Sequence, residues 1–221
     1  MKKKKILGYF LFLILLVFFT ATAAQALTLY FTKDLSTNTN LGDFDKFGQV
    51  VLEENGSGGV GFEVSLYNDA KFIRTGAGDY MDFKFNSDDT NFSLSQISGP
   101  DIDSPDPNNT DTWPLVAATG SFSGDGGGMF HYGIYYDGQG IGASDNNALP
   151  GPIVFTVSNS SISDFLTPNY LGHIFVADIW SNGFTGLVAV TATPVPEPAS
   201  MLLLGTGLIG LAGVGRRKFK K

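Results

Sequence analysis

Between residues 27 and 193 the apolar side chains recur at every second position and almost nowhere at every third or fourth. Val60, Phe62, Val64 and Leu66 alternate with Gly61, Glu63, Ser65 and Tyr67. Successive side chains of an extended chain point to opposite faces, so this pattern predicts a strand with one dry side and one wet side. The same reading gives strands at Leu27 to Thr32, Gln49 to Glu53, Tyr80 to Phe85, Phe92 to Ser95, Leu115 to Phe122, Met129 to Tyr136, Ile153 to Val157, His173 to Trp180 and Gly186 to Ala192. Phe130, Tyr132, Ile134 and Tyr136 are expected on one face of theirs. Asn55-Gly56-Ser57-Gly58-Gly59 carries turn chemistry and joins two of these strands in a hairpin. Gly124 to Gly128 breaks two others. Ser161 to Leu166 is expected to cap one short helical turn.

About ten short strands punctuated every 8–12 residues or so predict an all-β domain, an antiparallel β-sandwich of jelly-roll-like form. The chain has 19 phenylalanines, of which nine or ten are expected between the sheets. The longest irregular stretch is Gly99 to Trp113, with three prolines and Asp101, Asp103, Asp106 and Asp111. At 167 residues, Leu27 to Thr193 is long enough to bury about two-thirds of its unfolded surface, and it does so without a single cysteine. That argues against a disulfide framework and excludes thiol catalysis.

The two ends have different chemistry. Four lysines precede the apolar run Ile6 to Phe19, and Ala24-Gln25-Ala26 forms an A-x-A site ahead of Leu27. This is the layout of a secretory signal peptide over 1–26, with cleavage expected between Ala26 and Leu27. A retained membrane helix is the competing reading. At the other end, Val195-Pro196-Glu197-Pro198-Ala199-Ser200 leads into an apolar segment from Met201 to Gly215, followed by Arg216, Arg217, Lys218, Lys220 and Lys221. The two prolines keep their neighbours extended and display Glu197 on a stiff strip. The 15-residue apolar core, carrying five glycines, falls short of the roughly 17–25 usual in a spanning helix; Ala199, Ser200 and snorkelling basic residues extend it into a weak inner-membrane anchor. Basic clusters outside both apolar segments place both ends in the cytoplasm and 27–193 outside.

Pro-Glu-Pro, a Leu/Gly-rich segment and a terminal basic cluster, in that order, resemble the PEP-CTERM sorting signal of exported bacterial proteins. The resemblance covers 194–221. It implies recognition and cleavage by a membrane-embedded protease, an exosortase, with Pro196, Glu197 and Pro198 as the recognition motif and the basic residues as the stop. It also implies an association with exopolysaccharide. Phe219 interrupts the basic run without disturbing the order.

The middle carries five Lys/Arg against twenty Asp/Glu, a net charge of −15. Such a surface repels nucleic acid and suits a soluble extracellular body. Catalytic motifs for zinc, serine or nucleotide chemistry are absent, so the expectation is a non-enzymatic surface or extracellular-matrix protein. His131 and His173 are expected at the surface or rim of their strands. Glu53, Glu54 and Glu63, the three glutamates of this part, fit solvated strand faces better than the paired carboxylates of a glycoside hydrolase. Asp101, Asp103 and Asp106 on a proline-stiffened loop are candidate Ca²⁺ ligands, although their spacing departs from an EF-hand. A carbohydrate-binding module is the alternative function, with Trp113, Tyr132, Tyr135, Tyr136 and Trp180 as stacking platforms.

Overall fold

Val50, Leu52, Val60, Phe62 and Val64, spaced by twos in sequence, line one buried face of a computed structural model that describes residues 26–36, 41–88, 97–98, 102–103 and 111–192. They belong to β3 (Gly48–Glu54) and β4 (Gly59–Leu66), which pair in register from Gly48↔Leu66 to Glu54↔Val60. The turn between them is the expected one: Asn55 Oδ1 accepts the N–H groups of Ser57 and Gly59, at 3.0 Å each. Flanking this hairpin, β1 (Ala26–Phe31) pairs with β3, and β12 (Ile153–Ser158) pairs with β4. The short β7 (Ile97–Ser98) closes a five-stranded sheet of order β1-β3-β4-β12-β7.

A second sheet runs β10 (Leu115–Gly124), β11 (Gly128–Tyr136), β6 (Phe83–Phe85), β13 (His173–Ser181), β14 (Phe184–Thr191) and β2 (Lys33–Asp34), with β5 (Lys71–Phe72) pairing β13 as its seventh strand. Every strand pairing described is antiparallel. The long stretch expected to be irregular contains a small ribbon, β8 (Ile102–Asp103) with β9 (Thr112–Trp113).

The sheets meet through phenylalanine. Phe62 of the first sheet stacks on Phe155 at 4.5 Å and 11°, and lies 5.7 Å from Phe85 of the second. Phe165 closes edge-on against Phe62 at 4.9 Å. Nine phenylalanines of the described chain sit in this core, the number expected. Offset and edge-on ring pairs add to what burial alone provides. Phe165 ends a single 3₁₀ turn, Ile162–Phe165, whose start is fixed by Asp164 accepting from the N–H and hydroxyl of Ser161.

Two strand expectations are corrected. Tyr80 to Asp82 is not strand: Asp79 and Tyr80 have φ of 50° and 63°, left-handed values that end extended pairing, so β6 starts at Phe83. Phe130 does not share the core face of Ile134 and Tyr136. It packs with Leu35, Val176, Leu187 and Ala189 in a second cluster, beyond a bulge where β10 gains one residue between Thr119 and Phe122 and local twist increases. The strand expected at Phe92 to Ser95 lies outside the described residues.

Both chain ends of the described body lie at one end of the two-sheet stack. Ala26 faces Glu53 beside the 55–58 turn, and Ser158 faces Gly59 at the same level. The 159–172 connection then carries the chain to His173, which faces Thr191. At the opposite end, Leu66 leads into β5, which pairs with Ile179 and Trp180.

Candidate functional site

Asp82, Lys84 and Asp178 alternate with Phe83 and Ala177, so the pleat aims them away from the phenylalanine core. They are nonetheless fully buried, each at 0% exposure. The reason is a cover. After β5 the chain folds back over the outer face of the second sheet as a segment from Ile73 to Met81, with a 3₁₀ turn at Gly76–Gly78. The β10–β11 turn lies beside it, Asp125 N–H donating to Ala77 O.

Side chains hold the cover to the sheet. Asp178 Oδ2 accepts from the N–H of Thr75 at 2.9 Å and its hydroxyl at 2.5 Å. Lys84 Nζ donates to Gly78 O at 2.9 Å and Ser123 O at 3.0 Å, and the Ser123 N–H donates to Asp79 Oδ2. Arg74 donates to the carbonyls of Tyr80, Tyr136 and Gln139 and lies over the Tyr135 ring, 4.2 Å from its centroid. A Cβ at Gly78 would stand 2.5 Å from Asp178 Oδ2, so only glycine lets the turn come this close.

Burial without full pairing shifts these groups. Asp82 and Asp178 are opposed across β6 and β13, where the Asp178 N–H donates to Asp82 O at 3.0 Å. The Oδ1 atom of each has no hydrogen-bond partner. Desolvation pushes Asp82 up to about 7, against the opposing pull of Arg74. Burial also raises Asp178, opposed by its Thr75 bonds and by Lys84, and burial lowers Lys84 despite Asp178, Asp79 and Asp125 around it. Two carboxyl groups near neutrality are what acid–base chemistry uses. Here neither has exposed surface, so in this conformation the pair braces the cover and meets no substrate.

The residues singled out from sequence are scattered. Glu53 and Glu63 are exposed and Glu54 half-buried on the β3–β4 hairpin. Asp103 is exposed on β8, while Asp101 and Asp106 lie outside the described residues; among the described residues no three His, Asp or Glu side chains group to hold a metal. Trp113 at 6% exposure and Tyr136 at 1% belong to the core, which corrects their reading as stacking platforms. Tyr132 lies against Phe85 at 5.4 Å. Tyr135 and Trp180 are half-buried, Tyr135 under the Arg74 guanidinium. His131 is exposed as expected. His173 is not at the rim: it is 2% exposed, with Nδ1 2.9 Å from Gly127 O, because the β10–β11 turn folds over the start of its strand.

Asp82, Lys84 and Asp178 escaped sequence reading because alternation marks a face as polar without saying whether another segment covers it. Gly76 and Gly78 ahead of them were the one available signal of close backbone approach.

Residues 1–25 of the expected signal peptide and all of Val195, Pro196, Glu197, Pro198, Ala199, Ser200 and the basic cluster also lie outside the described residues, while Ala26 opens β1. Their chemistry is carried by sequence. The family model of the PEP-CTERM protein-sorting motif matches residues 194–218, the segment whose order of proline-flanked acid, apolar run and basic end already resembled it. No curated protein matches the chain. No solved structure matches it either.

Proposed function

We propose that this chain is an exported, non-enzymatic surface or extracellular-matrix protein, delivered through its C-terminal segment as the substrate of an exosortase. The observation that carries the reading is the match of residues 194–218 to the PEP-CTERM sorting motif, which implies exosortase-dependent sorting of an exported protein. Glu197, framed by Pro196 and Pro198, is the displayed charge. Met201 to Gly215 holds the segment in the inner membrane at the depth of the protease, and Arg216 to Lys221 stops it there.

The β-body supports the reading by what it offers chemically. Its most perturbed acids are sealed beneath the 73–81 cover. Its strongly acidic composition keeps it soluble outside the cell.

Intact mass of the protein recovered from a producing cell tests this. The expected mature chain lacks everything before about Leu27 and lacks Arg216 to Lys221. Glu197→Ala is expected to leave the tail uncut. A mature chain that still carries its last six residues, in a cell containing the protease, overturns the proposal.

A further inference from the structure

The body leaves for its membrane segment from a surface that is already prepared. Ala192 N–H, at the end of β14, donates to Gly172 O at 3.1 Å. Gly172 closes a turn built around Asn169, whose Oδ1 accepts from the N–H groups of Leu171 at 3.0 Å and His173 at 3.1 Å. Its Nδ2 donates to Gly127 O at 2.7 Å, and its own N–H donates to His173 O at 2.8 Å. Every polar atom of the Asn169 side chain thus holds the turn to the end of the second sheet. What the turn presents outward is apolar: Tyr170 is 77% exposed, the highest among the large hydrophobics of the described chain, and Leu171 is 47% exposed. A turn pinned by the Asn169 side chain that shows an aromatic and a leucine to solvent has the composition of a membrane-interface contact, where Tyr rings concentrate.

Chain length fixes the occupant. Six residues, Thr193 to Pro198, separate Ala192 from Ala199, where the membrane segment read from sequence starts, and six residues span at most about 20 Å. A body held that close meets the bilayer at high effective concentration, so a contact too weak to bind free protein is populated. The same end carries Glu54 beside the 55–58 turn, Asp88 bonded to Asp164, and Asp125 in the turn that holds Asn169, which disfavours anionic lipid and leaves a zwitterionic surface as the match.

We propose that, while the tail is uncut, the Tyr170–Leu171 turn rests on the lipid interface and sets the orientation of the body above it. This rests on the reading of 199–215 as a membrane segment.

The chain contains no cysteine, so single substitutions give unique labelling sites. The full chain, reconstituted in phosphatidylcholine vesicles, is labelled with an environment-sensitive dye at Leu171→Cys, at Ile141→Cys or Phe184→Cys on the opposite end, and at Leu208→Cys within the apolar segment. The expected result is that a lipid-borne quencher removes most of the signal at 171 and 208 and leaves 141 and 184 unchanged. Quenching at 208 alone overturns the docking while sparing the membrane segment. No quenching at 208 removes the tether and both readings with it. Equal quenching at 171 and 141 describes a tumbling body and overturns the orientation. Shielding at 171 that appears only when the protease is added assigns the turn to a protein partner and overturns the lipid contact.

Discussion

Asp82 shows how one residue controls the pH response of the body. Its carboxyl titrates near 7 in the folded chain, against an ordinary value of 3.8 that the unfolded chain keeps. Between those values the folded protein holds a proton that the unfolded chain has released. Stability from this group is therefore full below about pH 3.8, falls as pH rises, and stays low above 7. Three pH units correspond to at most about 4 kcal/mol. Asp178 acts in the same direction; Arg74 moderates Asp82, and Lys84 moderates Asp178. Urea unfolding is expected to show a more stable body at pH 5 than at pH 8, with Asp82→Asn removing much of the difference by stabilising the protein at pH 8. Lys84→Met is expected to destabilise it by about 3–5 kcal/mol, since Asp178 and the carbonyls of Gly78 and Ser123 lose their buried cation; chemical denaturation at pH 7 measures this. None of this was visible in sequence, where Asp82 and Lys84 read as the wet side of a strand. A polar position between phenylalanines reports which way it points, and its solvation is decided by a segment folded elsewhere.

Elements were legible where alternation was strict. Val60 to Leu66 and Ile153 to Val157 appear as β4 and β12 with the predicted sets buried, except that Leu66 is only half-buried. Alternation failed at Tyr80, where two left-handed residues precede β6, and at Phe130, where the bulge in β10 changes what β11 packs against. The core tests the first group. Phe62→Ala opens a gap among Phe155, Phe165 and Phe85 and is expected to cost about 3–5 kcal/mol, read from the shift in denaturation midpoint. The Asn169 turn tests a feature with no periodic signal at all. Asn169→Ala leaves the N–H groups of Leu171 and His173 without their acceptor, so their amide exchange is expected to accelerate well before that of β13 beyond Phe175.

At the level of the molecule, sequence distinguished an all-β body from its C-terminal sorting segment, yet gave no strand order. Which strands neighbour one another depends on long-range pairings such as β6 with β13, whose partners lie about ninety residues apart in register. The sorting segment, by contrast, was legible in full because its chemistry is local and linear. It is therefore expected to act on its own: residues 194–221 fused to an unrelated exported domain should direct the same trimming in a cell that contains the protease, and intact mass of the fusion checks it.

Ala26 and Ala192 leave by the same end of the stack, on strands β1 and β14 whose sheets lie against each other. A peptide bridge there interrupts no hydrogen-bonded ladder. New termini cut at the Asn182–Gly183 turn, at the far pole, would leave β13 and β14 whole. A circular permutant with new termini there, or the domain spliced into a loop of a host protein, is accordingly expected to keep its architecture, which the far-ultraviolet circular dichroism and unfolding midpoint of the permutant check.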